Sequence, residues 1–121
     1  MKIEFKHIAL LSASICIALA FIWLLTPKFL LSLWAVEFSE PVGLVSRRAS
    51  PLFAGIGVML FKLRHVGPCP ARTAVSSGLM VTCLMLALMG IIELVIGHAG
   101  PGILLAVTVE IALALGFYLA N

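Results

Sequence analysis

The sequence predicts an all-α membrane protein, a four-transmembrane-helix bundle with a short interfacial segment between the first and second helices. Three observations carry that expectation. Hydrophobic residues make up 63% of the chain and charged residues 11%, against roughly 45–50% and about 25% in soluble domains. The mean hydropathy is +1.23, a value that water would not tolerate in a folded surface. The apolar residues gather into runs of about 20, the length that crosses a hydrocarbon core. A chain of 121 residues then holds four spans, and residues 1–121 form one integral membrane domain with no room for a separate soluble one.

The first span is expected at about residues 7–25, uncharged from Ile8 onward, and it stops at Thr26-Pro27 because proline lacks an N–H and fixes φ. Its start imitates a signal peptide, with Lys2 and Lys6 ahead of an apolar run and Ala18-Leu19-Ala20 as a cleavage site. Phe21-Ile22-Trp23-Leu24-Leu25 prolongs the run, so it reads as a span. Lys28 marks the water interface. From Phe29 to Phe38, apolar residues and Trp34 mix with Ser32 and Glu37, the pattern of a segment lying along the membrane surface, until Ser39-Glu40-Pro41 breaks it.

The second span depends on where Arg47-Arg48 lies. A start at Pro51 leaves about 13 apolar residues to Leu63, too few to cross. The expected span therefore covers about residues 41–63, which brings both arginines into the membrane and makes Pro51 a kink point. Residues 62–72 form a polar turn punctuated by Gly67-Pro68 and Pro70. The third span follows at about residues 73–97, and Gly97-His98-Ala99-Gly100-Pro101-Gly102 turns the chain into the fourth at about 102–120.

Four spans place both termini on one side. That side carries Lys2, Lys6, Lys62, Arg64 and Arg72 against Lys28, Arg47 and Arg48 on the other, so the positive-inside rule predicts cytoplasmic termini in a bacterial inner membrane. The net charge of +3 is accounted for by these topology signals, and no nucleic-acid partner is expected. The expected partner is the lipid bilayer, with a homo-oligomer or a larger membrane complex served by the small-residue pairs Ala74/Gly78 and Ala112/Gly116.

The residues in costly places are the candidate site. A carboxylate at bilayer depth costs several kcal/mol unless it is paired, protonated or wet, and Glu93 in span three and Glu110 in span four are such groups. Each shares its helix face with small residues, Gly90 and Gly97 for Glu93, Ala106 and Ala114 for Glu110, which turns both toward the bundle interior. Arg47, Arg48 and Glu93 fall toward the same outer leaflet. One reading pairs Arg48 or Arg47 with Glu93 to fix helix register, and the other makes Glu93 and Glu110 a proton or ligand site. His98, in the outer turn near Glu93, joins the candidates. His7 and His65 sit at span ends beside Lys or Arg and read as interfacial residues. Cys16 and Cys83 lie within spans and Cys69 in a loop, with no CxxC or other metal spacing, and Gly55-Ile56-Gly57 sits in an apolar helix as a packing notch. No GxSxG, HExxH or Ser/His/Asp pattern occurs, so no catalytic residue, metal ligand or cofactor is assigned.

Taken together, Arg47-Arg48-Ala49-Ser50-Pro51-Leu52-Phe53-Ala54-Gly55-Ile56-Gly57, Gly100-Pro101-Gly102-Ile103-Leu104-Leu105-Ala106-Val107 and the acidic Glu93 and Glu110 resemble the DoxX-like group of small bacterial four-helix membrane proteins. The resemblance covers most of the chain at the level of layout. It implies the fold, and it implies a link to thiosulfate or quinone oxidation, with which some members are associated as membrane subunits. The length and span number are also similar to small multidrug-resistance transporters, but their first span carries a glutamate and residues 8–25 here carry no charge. The expected function is a non-enzymatic membrane subunit or small-ligand binder with an interior polar cluster of Arg48, Glu93 and Glu110. A proton-coupled small-molecule transporter and a quinone-linked oxidoreductase subunit are the alternatives.

Overall fold

The computed structural model describes residues 3–120. Among them are five helices: α1 (Phe5–Leu25), α2 (Pro27–Leu33), α3 (Glu40–Leu63), α4 (Pro70–Val95) and α5 (Ile103–Ala120). All but α2 are long and apolar enough to cross a membrane. Large apolar side chains stand exposed along them, among them Leu25, Leu52, Leu88, Val95 and Leu105. Exposed apolar surface on this scale finds a favourable surrounding only in lipid.

The helix ends follow from local chemistry. Thr26 ends α1, its N–H bonding to Ile22 O, and Pro27 opens α2 from the first-turn position where its missing N–H costs nothing. The short helix stops earlier than the expected segment. Val36 N–H bonds to Leu31 O and Ala35 N–H to Ser32 O with Ala35 at φ 57, a Schellman turn made without glycine. The Ser39 hydroxyl accepts from Val42 N–H to cap α3, and the Cys69 thiol accepts from Arg72 N–H to cap α4. Because Cys69 caps and Pro70 fits the first turn, α4 starts three residues earlier than the expected span. Gly97, at φ 88, ends it in a second Schellman turn: His98 N–H bonds to Glu93 O and Gly97 N–H to Leu94 O.

The longer form of the second span is the one that forms, and α3 runs continuously through Pro51. Proline at 51 removes the N–H that would reach the Arg47 carbonyl. The Ser50 hydroxyl donates to that carbonyl instead, at 2.8 Å, so no backbone acceptor is stranded.

The chain packs as two close antiparallel pairs, α1 with α3 and α4 with α5, joined by α1 against α5. Across the bundle the order is α3, α1, α5, α4. Phe5, Ile8, Ala9 and Ala13 of α1, Leu60 of α3 and Phe117 of α5 form the buried cluster at the end carrying the chain termini, with Val75, Leu79 and Met80 of α4 against it. The Phe5 and Phe117 rings meet edge-on, 6.2 Å between centroids. At the opposite, distal end, Gly100 N–H bonds to Trp34 O at 2.6 Å, and a Cβ on Gly102 would collide with the Leu33 carbonyl. That close approach ties the α4–α5 turn to the end of α2.

Candidate functional site

Along α4, small and polar residues face inward and large apolar ones face out. On α4 the buried positions are Arg72, Ser76, Cys83, Ala87 and Gly90, a helical stripe, while Leu84, Met85, Leu88, Met89 and Ile92 are exposed. This inversion of the soluble pattern carries polar side chains into the interior.

Glu110, half-buried, lies toward the middle of α5. Its Oε2 is shut off from solvent and has no hydrogen-bond partner. Cys83 of α4 is buried and Cys16 of α1 half-buried. Buried on the way from the terminal end are Ser12 of α1, at 2% exposure, and Ser76 of α4, at 0%. Both hydroxyls are unpartnered. At about 1.5 Å per residue, Arg72 lies about 3 Å into α4, Ser76 about 9 Å and Ser12 about 10 Å into α1, and Glu110 about 15 Å back from the end of α5. By depth these residues run from the terminal end to mid-span, a seam of separate polar side chains on α1, α4 and α5, none hydrogen-bonded to another.

Arg72 opens the seam. It is 8% exposed; its guanidinium donates to Val66 O at 3.1 Å and Ala120 O at 2.8 Å and lies 4.2 Å from the centroid of the Phe5 ring. Its Nε has no partner. The sequence reading counted Arg72 only as a topology charge and passed over Ser12 and Ser76. The signal was available: Arg72, Ser76 and Cys83 recur at i, i+4 and i+11, one face of a helix.

The expected cluster of Arg48, Glu93 and Glu110 does not assemble. Arg47 and Arg48 are exposed on α3, and among the described residues neither forms an ion pair with a carboxylate. The physical reason is the helix order, which puts α3 and α4 at opposite ends of the row. Arg47 directs its Nη1 beside Gly43, one turn nearer the helix start, as a cation does when it reaches for the membrane surface. Glu93 pairs instead with His98, Nδ1 to Oε2 at 2.7 Å, on an exposed surface. The Schellman turn sets this pairing, because it brings the third residue from the helix end beside the second one beyond the cap. Glu93 and His98 thus belong to the distal turn, and Glu110 to the interior. His7 lies 3.9 Å from Glu4 at the terminal end. Among the described residues no three His, Cys, Asp or Glu side chains are grouped to hold a metal ion.

Two cavities lie at the terminal half. A groove of about 390 Å³ between α1 and α3 is lined by Leu10, Ala13, Ile17, Gly57 and Phe61, with Ser14 and Lys62 at its edge. A more polar cavity of about 360 Å³ at the end of the bundle is lined by Lys6, Arg64, His65 and Arg72, with Glu4 beside them. Glu110 lines neither. The chain matches no family model, no curated protein and no solved structure.

Proposed function

We propose that this multi-pass membrane protein acts as a small-ligand binder or non-enzymatic subunit in a bacterial inner membrane, its polar seam ending at Glu110. One observation carries the reading. At mid-span, where a lone carboxyl group is costly, Glu110 keeps a buried oxygen free of any protein partner. A structural carboxyl would be expected to be used up by its neighbours, as Glu93 is by His98. The free oxygen is left for a ligand hydroxyl, amine or proton.

Other features support the remainder of the reading. Lys6, Lys62, Arg64 and Arg72 all stand at the terminal end, in keeping with cytoplasmic termini. The DoxX-like resemblance accords with four spans in a chain of this length. Ala74 and Gly78 are exposed together on α4 and supply a small-residue face for a second copy or a larger complex.

The test is native mass spectrometry of the protein released from lipid nanodiscs. The wild type should carry a small retained molecule, distinct in mass from phospholipid, that is lost on Glu110→Gln. Identical spectra for the two, with nothing bound but lipid, would remove the ligand-binding reading.

A further inference from the structure

The two cavities at the terminal half lie end to end on one face. On α1, Lys6 of the polar cavity shares a helix face with Leu10, Ala13, Ser14 and Ile17 of the groove, at i, i+4, i+7, i+8 and i+11; Gly57 and Phe61 of α3 lead toward Arg64 and His65 in the turn beyond it. Phe61 walls the apolar groove, and Arg64, which lines the polar cavity, stacks on the Phe61 ring at 3.8 Å. One wall therefore serves both. Among the described residues, the polar end gathers the fixed cations Lys6, Arg64 and Arg72 against the carboxylate of Glu4. Arg72 is held at this end by its bonds to Val66 O and Ala120 O. From Phe5 to Ile17, α1 rises about 18 Å, comparable to one leaflet of a hydrocarbon core about 30 Å thick.

We propose that this face binds one phospholipid with an anionic headgroup, its phosphate among Lys6, Arg64, His65 and Arg72 and one acyl chain along the groove between α1 and α3. Charge complementarity selects the head: an excess of cations suits a phosphate, and basic pockets between membrane helices are suited to anionic headgroups. The groove selects the tail, since a free anion would leave its apolar walls unfilled. Each cavity also falls within the roughly 300–1,000 Å³ range of small-molecule sites. This site is separate from Glu110.

The experiment is a thermal-shift titration in detergent with phosphatidylglycerol, phosphatidylcholine of the same chains, and inorganic phosphate. Phosphatidylglycerol should raise the melting temperature at concentrations at least tenfold below phosphatidylcholine. The double variant Lys6→Gln, Arg64→Gln should weaken the phosphatidylglycerol response roughly thirtyfold, about a factor of five for each cation removed. Ser14→Phe, which places a ring in the groove from an exposed position, should weaken it with the cations intact. Equal responses to the two lipids, or an unchanged phosphatidylglycerol response in both variants, would overturn the proposal. If inorganic phosphate alone reproduced the full shift, the site would be one for a free anion and the lipid assignment would fall.

Discussion

At the scale of single residues, three charged groups near the membrane are handled in three ways. Arg47 reaches back toward the helix start, Glu93 is bonded by the histidine that its own capping turn delivers, and Arg72 is buried against carbonyls and an aromatic ring. Their costs of replacement should differ accordingly. An exposed pair contributes under about 1 kcal/mol, and glutamine keeps an acceptor for His98, so Glu93→Gln should melt within a few degrees of wild type. Hydrogen bonds from a charged donor contribute about 1.5–3 kcal/mol, so Arg72→Gln should lower the melting temperature by clearly more than Glu93→Gln. Scanning calorimetry in detergent decides it. A large loss in Glu93→Gln with little in Arg72→Gln would restore the Arg48–Glu93 pair. The cost of a mid-membrane carboxyl was legible from the identity of Glu110 alone. Its partner, or want of one, was not, because that depends on which helix lies opposite.

At the scale of elements, the helices and their ends were largely legible, since they rest on proline, glycine and apolar run length. Pro27, Pro41, Pro70 and Gly97 each mark a boundary within a few residues. What one strand of sequence conceals is the order of packing. The pairing of Arg48 with Glu93 rested on their lying toward the same leaflet, which does not fix which helices touch: α3 lies on α1 and α4 on α5. Disulfide trapping in a chain freed of Cys16, Cys69 and Cys83 separates the two arrangements. Ile8→Cys with Gly116→Cys joins α1 to α5, where the Ile8 side chain fills the space beside Gly116, and should cross-link readily. Arg48→Cys with Glu93→Cys should not. The reverse outcome would reverse the helix order.

At the scale of the whole molecule, one tendency links sequence to site: lipid takes most of the large apolar side chains, so beyond the cluster around Phe5, Leu60 and Phe117 the interior falls largely to alanine, glycine, serine and a few costly polar groups. Ser12, Ser76, Arg72 and Glu110 are inside for the same reason that Leu88 and Leu105 are outside. The fold class needed only composition and run length. The seam needed the contacts between helices, which pack α5 against both α1 and α4. The account turns on Glu110 lying within that interior with its oxygen unclaimed. Mass-spectrometric mapping after treatment with dicyclohexylcarbodiimide, a small lipid-soluble reagent for carboxyl groups, tests this most directly when run beside a water-soluble carbodiimide. The account predicts a single lipid-soluble adduct on the α5 peptide, absent in Glu110→Gln, with the water-soluble reagent confined to exposed groups such as Glu4 and Glu37. Labelling of Glu110 by the water-soluble reagent, or its indifference to both, would contradict it.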